Sequence, residues 1–303
     1  MKMADVSALT HEITLEILAA FGLPKNKWAE MTIGSFFKKP ATKFSQMMAS
    51  IDHNLAQFGY REAARNLLPK FVDKATASGV ENIPMEGPLL ITSNHPGTID
   101  GAAITVNMPR DDMKVFASGI PFLDNLPHLR EFLIFAHRTE TNARATALRR
   151  SIQHLENNGA LLIFPSGQID PDPAVLPGAS ESLEKWSRSI AIMLRKVPET
   201  QILPTITSGV LAKKSIYTPF AILRKDGVAK RRIMEFIQTM RQILTRERFG
   251  LTAHVSFAPP ISIKDLGNLR DADHVMHVIV DRAKQLLAQH MTHLQTVSLK
   301  EPG

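Results

Sequence analysis

Leu89-Leu90-Ile91-Thr92-Ser93-Asn94-His95-Pro96-Gly97-Thr98-Ile99-Asp100-Gly101-Ala102-Ala103-Ile104 is the stretch whose reading decides the fold. An apolar run of strand length meets a tight turn at Asn94-His95-Pro96-Gly97, and a helical pattern follows over 99–106. Strand, turn and helix in this order open a βαβ unit. His95 then stands at the mouth of a sheet beside a helix N-terminus. Ligands of open α/β sheets gather in such crevices.

The alternation continues downstream. Apolar runs at 114–117, 132–136, 160–164, 202–207 and 251–257 have strand length. Helical patterns at 141–157, 180–196, 230–246 and 272–294 separate most of them, and 122–131 reads as a short helix or loop. Strands separated by helices pair in parallel through right-handed crossovers. The expected fold class is α/β: a layered, mostly parallel sheet flanked by helices, with an N-terminal helical domain. Upstream, residues 1–78 show helical patterns at 7–20, 28–39, 44–55 and 61–77, interrupted at Pro24 and Gly59, and no strand pattern. A turn-rich passage from Ser78-Gly79 to Gly87-Pro88 breaks helix and introduces the first strand. The expected organisation is a helical bundle over 1–78 and an α/β domain over 79–303. Trp28, Met31, Ile33, Phe36 and Phe37, with Lys25, Lys27, Lys38 and Lys39, have two readings: a face packed on the main domain, or a face lying in a membrane interface with lysines toward headgroups.

Composition narrows the function classes. The chain has 303 residues, 44% hydrophobic and 21% charged, so it is globular with room for a sizeable core. Cysteine is absent, which excludes disulfides, thiolate metal sites and a cysteine nucleophile. No apolar run reaches the roughly 18 residues of a spanning helix. Met1-Lys2-Met3-Ala4-Asp5 lacks the basic-then-apolar order of a signal peptide. The expectation is a soluble cytoplasmic protein or one peripheral on the inner face of the membrane. A net charge of +7 and a pI near 9.6 suit an anionic partner. A membrane surface, a nucleic acid and a phosphorylated substrate all fit.

Histidine is the usual general base near neutral pH because its reference pKa lies near 6.5. A carboxylate on the far ring nitrogen fixes the tautomer and stabilises the imidazolium that forms. Five positions across a turn into the first helical turn bring Asp100 back toward His95, and a helix N-terminus favours an aspartate there. A bare pair at this offset arises readily by chance among 11 histidines. Its context is what singles it out: a strand end, with Asn94 before it and Pro96-Gly97 shaping the turn.

The stretch from Gly79 through Asp100 resembles the start of the glycerolipid acyltransferase domain, the group that includes glycerol-3-phosphate and 1-acylglycerol-3-phosphate acyltransferases. The Asn-His-x4-Asp block of that family has its counterpart here, introduced by a similar Gly-x-Glu-Asn-x-Pro…Gly-Pro lead. Ile134-Phe135-Ala136-His137-Arg138 resembles the second block, Phe164-Pro165-Ser166-Gly167 the third and Ile202-Leu203-Pro204-Thr205-Ile206 the fourth. Ala258-Pro259-Pro260-Ile261 is similar to the late turn. The resemblance spans about 79–262. It implies that His95 deprotonates an acceptor hydroxyl with Asp100 holding the ring, and that the oxygen attacks an acyl thioester directly. The co-substrate would be acyl-CoA or acyl carrier protein, the acceptor a phosphorylated glycerol or a lysophospholipid, and no cofactor or metal is implied. The loop Pro165, Ser166, Gly167 would face the substrate, with backbone N–H groups around Gly167 as candidate oxyanion donors. Ser166 stands where most members have glutamate. The Pro-Ser-Gly form resembles the soluble plastid-type glycerol-3-phosphate acyltransferases, which follow the glycine with arginines that hold the acceptor phosphate. Gln168-Ile169-Asp170-Pro171-Asp172 carries no basic residue, so phosphate recognition falls on Arg138, with His137 or with Arg144, Arg149 or Arg150.

Other features are weaker. His274 and His277 with Asp281, and His290 with His293, have spacings that occur in zinc sites, on what reads as an ordinary amphipathic helix. Lys230, Arg231, Arg232, Arg241, Arg246 and Arg248 form a basic helix whose face is either solvated or in contact with anionic lipid or a carrier's phosphopantetheine. Phe122, Leu123, Leu126 and Leu129 are core or acyl-chain lining. No P-loop or Gly-x-Gly-x-x-Gly is present. Two rival readings accompany the enzyme: a lipid- or acyl-binding protein with the acyltransferase fold and no catalysis, and a nucleic-acid binder suggested by the pI. The intact His95–Asp100 pair argues for catalysis over both, and no nucleic-acid partner is expected.

Overall fold

The computed structural model describes residues 4–20, 22–24, 26–119, 121–137, 142–218 and 226–300, without the side chains at 20, 27–29, 118, 137 and 297–300. Three helices open the chain: α1 (Val6–Ala20), α2 (Lys27–Thr32) and α3 (Gly34–Leu67). Helix α3 is broken in backbone geometry at Gly59, whose φ of 81° and ψ of 174° leave the helical region, so the expected interruption there is present. Trp28 lies in α2, but its side chain is outside the described residues.

The sheet begins earlier than expected. Lys74–Ser78 forms strand β1, where the sequence reads as the end of a helix. Its Lys-Ala-Thr-Ala-Ser composition carries little strand signal. Pairing in parallel with a later strand, Lys74 opposite Thr252, holds it extended; a tertiary ladder outweighs local propensity. There follow β2 (Leu89–Ser93), α4 (Asp100–Asn107), β3 (Lys114–Gly119), β4 (Leu133–His137), α5 (Ala143–Glu156) and β5 (Ala160–Ile163). Then come α6 (Ala179–Leu183), α7 (Ser189–Lys196), β6 (Gln201–Ser208), α8 (Gly227–Thr245), β7 (Thr252–Phe257), α9 (Ile263–Leu266) and α10 (Ala272–Lys300). The single helix expected over 180–196 is two helices, because the intervening chain is tied to the loop after β5 by the Ser187 N–H to Pro165 carbonyl bond of 3.0 Å.

The seven strands form one sheet in the order β1-β7-β6-β2-β5-β3-β4. It is mostly parallel and flanked by helices, as the alternation implies. The departure is β7, which runs antiparallel to β6, with Ser208 opposite His254. A helical connection is long enough for a parallel crossover but does not compel one.

Central strands are buried on both faces. Leu90, Leu161 and Ile202 point into one core with α5, α7 and α10. Leu89, Ile91, Leu162 and Leu203 point into the other, beneath α4 and the end of α3. A third cluster joins Leu9, Ile13 and Ile17 of α1 to Ala41 of α3 and to Leu126. Phe122, Leu123 and Leu129 pack against that cluster, and Leu126 is fully buried. These four residues therefore seat the N-terminal helices on the β3–β4 connection.

Candidate active site

Strand β2 ends at Ser93, close to the end of its neighbour β5, while β6 on its other side runs on to Ser208. Asn94 continues the pairing with its side chain: Nδ2 donates to the Thr207 carbonyl at 2.9 Å, and the Thr207 N–H donates to Oδ1 at 2.8 Å. The buried amide thus mimics a peptide and anchors the turn that follows. His95 comes next, on the side toward β5.

His95 Nδ1 lies 2.8 Å from Asp100 Oδ2 at the first residue of α4. Asp100 is 1% exposed, while the His95 side chain is 27% exposed, so the ring is the accessible partner. The Gly97 N–H donates to Asp100 Oδ2 at 3.2 Å and the Gly101 N–H to Oδ1 at 2.6 Å. An ionised carboxylate only accepts, so Nδ1 carries the proton and Nε2 keeps its lone pair. Among the described residues Nε2 has no hydrogen-bond partner. Phe164 stacks on the imidazole, centroids 4.4 Å apart and planes 25° apart, which fixes the ring's plane. Burial works against the charged ring, but Asp100 by charge and hydrogen bond, with the charges of Asp170 and Glu235, outweighs it and holds the His95 pKa above its ordinary value.

The loop after β5 closes on this turn. The His95 N–H donates to Asp170 Oδ2 at 2.9 Å, and the Asp170 N–H donates to the His95 carbonyl at 2.7 Å. The Ser166 hydroxyl donates to the same Asp170 oxygen at 2.9 Å. The Gly167 N–H is engaged by the Phe164 carbonyl at 3.0 Å, so that N–H closes a turn and is not a free oxyanion donor. Its φ of 66° is the reason a glycine stands there. Pro165 is buried. Asp172, fully buried, accepts from the backbone N–H groups of Ala174, Gly209, Val210 and Leu211, tying this loop to the end of β6.

Helix α8 lies across both loops. Glu235 Oε1 accepts from the Thr98 N–H at 2.9 Å, and one helical turn earlier Arg231 Nε donates to the Ile169 carbonyl at 2.7 Å. Arg231 is thus the member of the basic helix that reaches the site. Arg241 pairs with Glu247 and Arg248 with Asp73.

The expected site residues divide. His95, Asp100, Pro165, Ser166 and Gly167 come together. Arg138 lies outside the described residues, as does the side chain of His137, whose backbone ends β4. Arg144, Arg149 and Arg150 are exposed on α5. Among the described residues no group of three His, Cys, Asp or Glu side chains could hold a metal ion; His277 instead pairs with Asp281 at 3.2 Å. Asp170, Asp172 and Glu235 were not expected at the site; Phe164 was read only as the start of the third block and Arg231 only as part of a basic helix. In the sequence Asp170 and Asp172 are only acids in a loop where the resemblance implies arginines. Arg231 and Glu235 lie more than 130 positions from His95, with no local signal.

The end of β2 thus carries a histidine with Nδ1 on a buried carboxylate and Nε2 open. Residues 74–208 match the Acyltransferase family model. This acyltransferase match begins with β1 and ends with β6, and contains His95, Asp100 and the loop from Phe164 to Asp172. No curated protein matches the sequence. A similar solved structure is the crystal structure of the 1-acyl-sn-glycerophosphate (LPA) acyltransferase PlsC from Thermotoga maritima, 17% identical, covering 93% of this chain and 96% of that one, with a TM-score of 0.41.

Proposed function

We propose that this chain is a glycerolipid O-acyltransferase. It moves a fatty acyl group from an acyl thioester, on coenzyme A or acyl carrier protein, to the hydroxyl of glycerol-3-phosphate or a lysophospholipid. The observation that carries the reading is the 2.8 Å His95 Nδ1–Asp100 contact with Nε2 open, inside the segment that matches acyltransferases. His95 Nε2 takes the hydroxyl proton as the acceptor oxygen bonds to the thioester carbonyl carbon. The tetrahedral intermediate expels the thiolate, which takes the proton back from the imidazolium. Oxygen is acylated, sulfur leaves as a thiol and the base is restored. Asp100 holds the tautomer and balances the transient charge. No acyl-enzyme is needed, in keeping with the absence of cysteine.

Arg231 brings a cation to the loop opposite His95, which suits a phosphorylated acceptor; Arg138 is assigned the same role from the second block. Phe36 and Met31 are 83% and 79% exposed, and Lys39 and Lys43 follow Phe36 at helical spacing. That surface supports peripheral contact with an anionic bilayer. No helix among the described residues is long and apolar enough to cross a membrane.

The test is thiol release and product identification by mass spectrometry, with acyl-CoA and acyl carrier protein compared over a panel of acceptors. His95→Ala is expected to lower kcat by about 10²–10⁴-fold, and Asp100→Asn to lower it without loss of thioester binding. Wild-type turnover in the histidine variant would rule the mechanism out. Lipid binding without turnover in the wild type would favour a binding protein.

A further inference from the structure

The Asp170 carboxylate has a coordination that loop fastening alone does not require. Asp170 is 1% exposed. One of its oxygens, Oδ2, takes both the His95 N–H and the Ser166 hydroxyl at 2.9 Å. The other, Oδ1, is buried with no partner among the described residues. An unpaired buried carboxylate oxygen is costly, and an asparagine there could accept the same His95 and Ser166 donors. The charge itself therefore needs a counterpart. Arg231 approaches, but spends its Nε on the Ile169 carbonyl at 2.7 Å and forms no ion pair with Asp170 among the described contacts. Among the described residues, the other group able to become cationic that acts on Asp170 is the His95 imidazole. The main chains of the two residues are already joined in both directions, by bonds of 2.7 and 2.9 Å.

We propose that Asp170 is a positioning residue for His95: it clamps the histidine's main chain and places a second carboxylate charge beside the ring, supporting the imidazolium that proton abstraction creates. The Ser166 hydroxyl holds that carboxylate in place. Serine at position 166 thus orients an acid four residues on instead of supplying a carboxylate itself. Among the described residues, the groups facing His95 are Asp100 from α4, Asp170 from the loop after β5, Glu235 from α8 and the apolar face of Phe164. Burial raises the Asp170 pKa, against the His95 N–H, the Ser166 hydroxyl and the charges of His95 and Arg231, which lower it. The proposal rests on His95 being the base, but its first readout needs no turnover.

That readout is an NMR titration of the His95 imidazole in the full chain, wild type against Asp170→Asn. The asparagine keeps an oxygen for the His95 N–H and removes the charge. The expected result is a lower imidazole pKa in the variant, with the acid limb of kcat/KM moving down alongside it and kcat falling about tenfold while the thioester KM holds. An unchanged imidazole pKa in a folded Asp170→Asn protein would overturn the proposal. Asp170→Glu keeps the charge and displaces the clamp, and covers the case in which the asparagine variant does not fold. It is expected to keep the imidazole pKa near wild type and to lose kcat, and wild-type kcat would overturn the clamp. A wild type that transfers acyl groups to no acceptor would end the acyltransferase reading, while the titration would still decide whether Asp170 supports the ring.

Discussion

His95 divides two tasks between its ring nitrogens. Nδ1 is committed to Asp100, and Nε2 faces whatever enters the site. The Phe164 stack sets the plane of the ring, and the Asp100 contact sets which nitrogen meets the carboxylate. With His95 as the proposed base, which must be neutral to accept a proton, kcat/KM is expected to rise with pH through its deprotonation. Because Asp100, Asp170 and Glu235 outweigh burial, that limb lies above the ordinary histidine value near 6.5. Asp100→Asn removes the nearest of these charges and should shift the limb downward. A pH–rate profile of both proteins checks this, and a limb that does not move would separate the titration from His95.

At the scale of elements, the site depends on how β2 and β6 end. Asn94 satisfies both backbone groups of Thr207. Asn94→Ala leaves those buried groups unpaired, and the expected cost is about 1–3 kcal/mol of stability, read by chemical denaturation, with kcat reduced because the turn bearing His95 loses its anchor. The antiparallel corner is fastened differently. Thr76, His254, Ser78, Ser256, His290 and Ser208 form a continuous chain of hydrogen bonds, each between 2.6 and 3.2 Å, linking β1, β7, α10 and β6. Burial, followed by the neighbouring histidines, lowers the pKa of His254 to about 4 and that of His290 to about 3. Both bind a proton near pH 6.5 when unfolded, so unfolding takes up protons in the interval between. Their contribution is intact above about pH 6.5 and is lost as pH falls toward 4. The melting temperature is expected to drop over that interval, and His290→Gln to flatten the slope; equal slopes in the two proteins would place the acid lability elsewhere.

For the whole molecule, the N-terminal helices are joined to the sheet through Leu126 and the residues around it. That contact covers the apolar side of α1 and leaves Phe36 and Met31 outward. If this surface meets a bilayer, the protein should float with anionic vesicles, less so at high salt. Phe36→Glu with Met31→Glu should abolish flotation while leaving the melting temperature unchanged. Flotation of the double variant at the wild-type level would move the contact elsewhere.

Much of this was legible in the chain because it is local. The alternation of apolar runs with helical patterns sets an α/β sheet, since both periods are written in neighbouring residues. The turn from Asn94 to Asp100 sets the contact between His95 and Asp100, since five residues across a strand-to-helix turn can fold back on themselves. What only tertiary structure decided is long-range. The strand character of Lys74–Ser78 comes from a ladder with residues near 252. The direction of β7 comes from its pairing with β6. The acids and the arginine around His95 arrive from a loop 75 positions away and from a helix beyond it. Propensity and spacing act over a few residues; the charges that set a buried imidazole's protonation act through space, and their neighbours exist only once the sheet has formed.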